Sequence, residues 1–321
     1  MPPDGVCDFL AYMDVWVEAA AVRSQYEPDS LDEFKSHAKA AQKTRHGVSF
    51  SYQYAAESSA QLAKNSQLLK PLWDSKIEDF GILLAYDTVT SLLHSAHSKL
   101  NLLKQLSADQ KKLAGSKKTH IFLGMINQDF NRSDKKTIDM LEHAIKHYPI
   151  TILIAITHFF IYDALYQPRP PGVWSNTVRM PADMSVLAKN FTKLALHPNV
   201  LFLTSYTMAV CKYLMASGYG GGTAGTVVSF SPVRYSETCF QKNNIDTSPK
   251  DYVYIANKNK RALLMFETFE TLLYKVKQFY ALYAHPKHGV ALYDVDYDDN
   301  TNGCGSETFR RVRQMKRYLH F

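Results

Sequence analysis

Short apolar runs alternate with longer stretches in which apolar residues recur every three or four positions, the pattern of strands and amphipathic helices in succession. Residues 6–15 predict a strand, and residues 31–43 a helix with Asp29 and Ser30 as candidate caps. Residues 46–54 predict a second strand, 56–69 a polar helix, 77–86 a third strand and 88–113 a long amphipathic helix. A strand over 119–126 precedes a helix capped by Ser133 and running to His147, and 150–159 is a strand of largely β-branched residues. A loop with Pro168, Pro170 and Pro171 leads to a helix over 182–196, and 201–213 reads as one strand. A helix over 267–283, a last strand over 289–296 and a helix from Ser306 to Leu319 complete the series.

Seven strand–helix units in strict alternation predict a parallel sheet, and strands that are apolar throughout predict that both its faces are covered. The fold expected is α/β, a TIM (β/α)8-type barrel forming one domain over residues 1–321. One stretch breaks the rhythm, between the seventh strand and its helix. It opens with Ser217-Gly218-Tyr219-Gly220-Gly221-Gly222 and lacks the Gly-Lys-Ser/Thr of a phosphate loop. Long connections carry structure of their own, so residues 216–264 are expected to form an insertion over the barrel rim. The last strand turns abruptly acidic at Asp294, Asp296, Asp298 and Asp299. Alternation would send Asp294, Asp296 and Asp298 to one side, and acidic strand ends at a barrel rim are where ligands sit.

Composition narrows the function classes. The chain is ordinary globular in its 46% hydrophobic and 21% charged content, but it carries 20 Tyr and 17 Phe. That surplus suits an aromatic-lined, carbohydrate-facing cleft and a half-buried β surface equally well. Part of the net charge of +7 lies in Arg310, Arg311, Arg313, Lys316 and Arg317. These alternate at helical spacing with Phe309, Val312, Met315, Tyr318 and Leu319, which predicts the solvated face of a last helix and no nucleic-acid partner. The longest apolar run, residues 150–162, is interrupted by Thr157 and His158 and is too short to span a membrane, and Met1-Pro2-Pro3-Asp4-Gly5 has no signal-peptide character. The four cysteines, Cys7, Cys211, Cys239 and Cys304, form no CxxC pair, which argues against a zinc or thioredoxin-type site. Two sequons, Asn131-Arg132-Ser133 and Asn190-Phe191-Thr192, are compatible with secretion.

Against this background the last strand resembles that of the family 18 glycoside hydrolases, the chitinases and chitinase-like lectins. A small-residue strand, an aromatic (Tyr293), an Asp-x-Asp-Asp run (Asp296, Asp298, Asp299) and a cysteine follow in the family's order. Phe266-Glu267-Thr268 with Thr271 and Lys275 is similar to the family's aromatic–acidic segment before the seventh helix, and residues 3–12 are similar to its second strand. His46-Gly47-Val48-Ser49-Phe50-Ser51-Tyr52, Pro171-Gly172-Val173-Trp174 and residues 291–296 also resemble divergent secreted chitinase-like proteins of ticks. The resemblance begins at the family's second strand, which implies a barrel lacking its first strand and a fragment or alternative start of a longer secreted precursor. It would pair Cys7 with a cysteine in the missing strand. A Cys239–Cys304 bridge and a plain buried thiol at Cys211 fit it too, and spacing decides none of these pairings.

The family's chemistry lies in a D-G-x-D-x-D-x-E motif on the fourth strand. There the Glu protonates the leaving oxygen and the Asp before it orients the substrate's acetamido group as internal nucleophile. The matching residues here keep Gly81 and an aromatic at Tyr86, but the aspartate positions are Phe80, Leu83 and Ala85 and the acid is Asp87. Asp87 sits about one methylene back, and a misplacement near 1 Å costs about 100-fold. On the sixth strand, His158 and Phe159 stand where the family has a Tyr and an Asp. The resemblance therefore implies a protein without catalytic residues, binding glycan or a protein partner at the barrel's C-terminal face. Tyr86, Asp87, His158, Tyr293, Asp294 and Asp296 are its candidate ligand contacts, with Trp174 as a further aromatic. No cofactor, metal or membrane contact is implied, and a monomer outside the cell is expected. Two other readings stay open: a residual hydrolase using Asp87 or the acidic strand end, and an interaction protein using the exterior and the inserted loop.

Overall fold

The predicted strands recur in the computed structural model, which describes residues 1–86, 97–126, 135–158, 168, 170–174, 184–192, 199–216, 227–246, 251–257, 261–283, 288–305 and 307–320. The chain divides into two compact bodies, one of residues 7–156 with 192–203, the other of residues 1–6, 157–191 and 204–321.

In the first body, β1 (Phe9–Glu18) and β2 (Ala21–Ser24) form a hairpin, followed by α1 (Pro28–Ala40), β3 (Arg45–Phe50), α2 (Ala55–Lys64), the short α3 (Lys70–Trp73) and β4 (Ile77–Ala85). Then come α4 (His97–Ala114), β5 (Ile121–Ile126), α5 (Lys135–His147) and β6 (Ile152–Ile156), with β7 (Leu201–Thr207) beginning in this body. The sheet order is β7-β6-β5-β4-β3-β1-β2. Pairing is parallel from β1 through β6, as the alternation predicts, and antiparallel only in the β1–β2 hairpin. That hairpin is absent from the sequence expectation: its two-residue turn is Ala19-Ala20, both at positive φ (47° and 60°), where glycine or asparagine is the usual signal. Helices cover the sheet through Leu31 and Phe34 of α1, Leu62 of α2, and Leu102, Leu103 and Leu106 of α4, all buried.

Gly81 on β4 is required by packing. A Cβ there would lie 2.0 Å from the Phe122 carbonyl oxygen on β5, so no side chain fits. β1 and β3 slip register between Tyr12 and Val15, and Asp14 sits in that irregularity.

In the second body, α6 (Met184–Phe191) precedes the far half of β7. The run 201–213, expected as one strand, breaks at Met208-Ala209 into β7 and β8 (Val210–Met215). β8 joins β9 (Val227–Val233), β10 (Ile245–Asp246), β11 (Val253–Asn257) and β12 (Ala262–Phe266) in an antiparallel sheet of order β10-β11-β12-β8-β9. Alternation gives this sheet two apolar faces: Cys211, Tyr213, Met215, Leu263 and Met265 on one, Val210, Ile255, Leu264 and Phe266 on the other. α7 (Phe269–Leu282) starts two residues later than expected, at a capping box in which Thr268 and Thr271 bond each other's backbone. β13 (His288–Tyr293) lies beside β7, and α8 (Arg310–Leu319) is the last helix.

Cys239 and Cys304 form a disulfide with Cα atoms 5.3 Å apart, and Cys211 is a buried thiol. The expectation that the basic residues of α8 are all solvated fails at Arg311, which is buried.

Candidate functional site

The positions where the resemblance places carboxylates lie on β4 in the first body. Phe80 and Ala85 are fully buried and Leu83 nearly so. Phe80 packs edge-on against Phe50, with ring centroids 6.4 Å apart. The three side chains have no group that can donate, accept or hold a proton. Asp87 lies outside the described residues. Tyr86, just past the strand, is 44% exposed and rests edge-to-face on buried Tyr52 at 5.6 Å, while the Lys99 ammonium caps the Tyr52 ring at 4.1 Å. Tyr86 is thus an exposed ring whose orientation is braced by a second ring.

One carboxyl in this body was not singled out from the sequence. Asp14 is buried and accepts a hydrogen bond from the Ser49 hydroxyl at 2.7 Å. Ser49 Oγ in turn accepts from the Leu83 N–H at 2.9 Å, so the chain of bonds ends on the backbone of a position that the family fills with aspartate. Burial pushes the Asp14 carboxyl up to about 6, against the smaller opposing pull of the Ser49 hydroxyl. The available signal was an acid inside the otherwise apolar run Val15–Val17 and Leu10–Met13. A second buried acid, Asp79, is structural. It accepts two hydrogen bonds from Arg45 (3.1 and 2.9 Å) and one from the His120 N–H at 2.7 Å. Burial still outweighs these partners and raises it, and burial lowers His120.

The second body brings together two of the predicted contacts, His158 and Tyr293. His158, just after β6, bonds through Nδ1 to Ser205 Oγ on β7 at 2.7 Å, and its ring lies 4.7 Å from that of Tyr293 at the end of β13. Ser205 is itself fixed by the Thr157 N–H at 2.9 Å, and Thr157 donates back to the Ser205 carbonyl. Burial pushes the His158 imidazole down to about 3, so it is neutral at physiological pH. Tyr293 is buried under it, as is Trp174 elsewhere in this body, so neither presents an open ring face.

The acidic strand end does not alternate as expected, because β13 stops at Tyr293. Asp294 is left-handed (φ 56°) and accepts a hydrogen bond from the Thr207 hydroxyl at 2.5 Å. Burial raises its carboxyl, with the Asp296 charge adding to the effect. Asp296 alone of the set is exposed, on the turn Val295–Tyr297. Asp298 bonds buried Arg311 at 2.7 Å, and Asp299 accepts from the N–H groups of Gly303 and Cys304, both at 2.8 Å. These two carboxylates hold the turn and the disulfide in place. Glu267 and Lys275, which carry the resemblance before α7, form a fully buried ion pair at 2.6 Å, with Lys275 also donating to the Gly172 carbonyl at 3.1 Å. Their role is likewise structural: each neutralises a charge that would otherwise be buried alone.

No protein-family model matches the sequence, and no curated protein matches it. Solved structures do. An immunomodulatory active chitinase from Trichuris suis superposes with a TM-score of 0.72 at 12% identity, covering 99% of this chain and 93% of that one. Human YKL-39, described as a pseudo-chitinase with retained chitooligosaccharide binding properties, superposes at 0.73 with 15% identity, covering 99% and 92%. A family GH18 chitinase from Cycas revoluta, complexed with allosamidin, superposes at 0.69 with 11% identity, covering 97% and 93%. This chain has the α/β barrel-type fold of the family 18 chitinases and chitinase-like proteins.

Proposed function

We propose that the protein is a catalytically inactive chitinase-like protein that binds N-acetylglucosamine glycans of chitin type and works outside the cell. The observation that carries this reading is the buried, wholly apolar set Phe80, Leu83 and Ala85 on β4, where hydrolysis by the family mechanism needs carboxylates. Retained binding is supported by the exposed, braced ring of Tyr86 and by the likeness to human YKL-39, which keeps chitooligosaccharide binding as a pseudo-chitinase. The Cys239–Cys304 disulfide supports an oxidising compartment, and among the described residues no helix is long and apolar enough to cross a membrane. Residues 216–264 are taken in this reading as a rim insertion.

Calorimetric titration with chitotetraose, together with a fluorogenic chitotrioside assay, tests the proposal. Binding without turnover is expected, weakened about tenfold in Tyr86→Ala, the equivalent of one stacking contact. Turnover, or no heat of binding at millimolar sugar, would overturn it. Asp14 favours a second reading, a residual hydrolase, because a carboxyl pushed up to about 6 lies in the range of general acids. Turnover that vanishes in both Asp14→Asn and Asp14→Ala would establish that reading instead.

A further inference from the structure

Independently of any glycan site, we infer that α5 carries a surface site for a borderline first-row divalent cation, held by His143 and His147. The two histidines are four residues apart, so they lie one above the other on a single helix face. Both are exposed, and their rings stand 3.8 Å apart, tilted by 42°. Ala144 and Ile145 of the helix, and Tyr148 just past its end, are buried away from the pair, and the Lys104 ammonium lies over the Tyr148 ring at 4.8 Å. The face bearing the pair is thus turned toward solvent, and rotation of the two side chains aims two imidazole nitrogens at one ion. Helical His pairs at this spacing are the protein half of zinc sites in which both ligands come from one helix. Asp139, exposed one further turn back, adds negative potential on the same line.

Among the described residues no group of three or more His, Cys, Asp or Glu is assembled to hold an ion. The site therefore supplies two nitrogen ligands and leaves the remaining positions to water, which fits exchangeable rather than structural binding. Two imidazoles without thiolate or a carboxylate cage select Cu²⁺, Zn²⁺ or Ni²⁺ over Mg²⁺ and Ca²⁺, with Cu²⁺ held tightest.

The untagged chain titrated with Cu²⁺ at pH 7.5, followed by calorimetry and by electron paramagnetic resonance, tests this inference. One ion per chain is expected, with nitrogen hyperfine structure from two imidazoles. His143→Ala and His147→Ala should each weaken it by at least about 10–100-fold, the loss already seen when only an outer partner of a metal ligand is removed. Both positions are exposed, so the variants fold, and His37→Ala serves as a control that leaves binding unchanged. Binding that survives both substitutions, or no binding at stoichiometric Cu²⁺, would overturn it. Neither outcome bears on chitotetraose binding, which is measured separately.

Discussion

Asp14 and His158 are buried titratable groups whose effects on stability have opposite sign. The folded chain holds the Asp14 proton up to about pH 6, whereas an unfolded aspartate releases it near 3.8. Its contribution is therefore fully favourable below 3.8 and is lost as pH rises through 6, a difference of about 3 kcal/mol from the shift in pKa. Asp14→Asn keeps an acceptor for the Ser49 hydroxyl and removes the buried charge. Calorimetric melting should show this variant more stable than the parent at pH 7.5 and level with it below pH 4. His158 works in the other direction, because the folded state refuses a proton down to about pH 3 that an unfolded imidazole takes near 6.5. Stability from this group is present above 6.5 and is lost as pH falls. His158→Gln should be less stable at pH 7.5, having lost the ring packed against Tyr293, yet its melting temperature should fall less between pH 6.5 and 4. A parallel decline in both proteins would refute the assignment. Neither behaviour was legible in the sequence, because burial, which sets both shifts, depends on what the rest of the chain packs around a residue. The replaced positions Phe80, Leu83 and Ala85 were legible, since an apolar residue can be recognised as lacking a proton wherever it lies.

At the scale of elements, strands and helices of the parallel sheet follow from periodicity because each is a local pattern closed by its own neighbours. Two places escaped it for definable reasons. The break between β7 and β8 occurs inside an unbroken apolar run, and side-chain alternation does not record the strand's move from one sheet to another. The β1–β2 hairpin turns on Ala19-Ala20, which spends backbone strain where Asn-Gly would spend none. Replacing the pair (Ala19→Asn with Ala20→Gly) should relieve about 1–2 kcal/mol of left-handed strain and raise the melting temperature by a few degrees. An unchanged or lower melting temperature would show that the turn is not the two-residue type described.

For the whole molecule, the antiparallel sheet of the second body was foreseen only as an insertion. Its pairing of β8 with β12 joins residues about fifty positions apart, a contact no local window contains. The Cys239–Cys304 bridge spans 65 residues, and closing so long a loop stabilises by about 2–4 kcal/mol. Cys304→Ser should accordingly lower the melting temperature, and dithiothreitol should lower that of the parent to match while leaving the variant unmoved. An effect of the reductant on the variant would place the sensitive bridge elsewhere.

Arg311 gives the second body a timetable as well as a fastening. Its guanidinium meets the carbonyl oxygens of Met208 (2.6 Å) and Glu267 (2.7 Å) and the Asp298 carboxylate (2.7 Å), and it stacks on the Tyr235 ring at 3.9 Å. During synthesis those groups leave the ribosome before the side chain that satisfies them exists. The first body can fold while it is being translated, whereas the second must wait, partly open, for α8 to emerge. Nascent chains stalled just before Arg311 should then be cut by protease throughout the second body, and chains carrying it and released should resist. The cell's chaperones would meet this protein mainly in that interval.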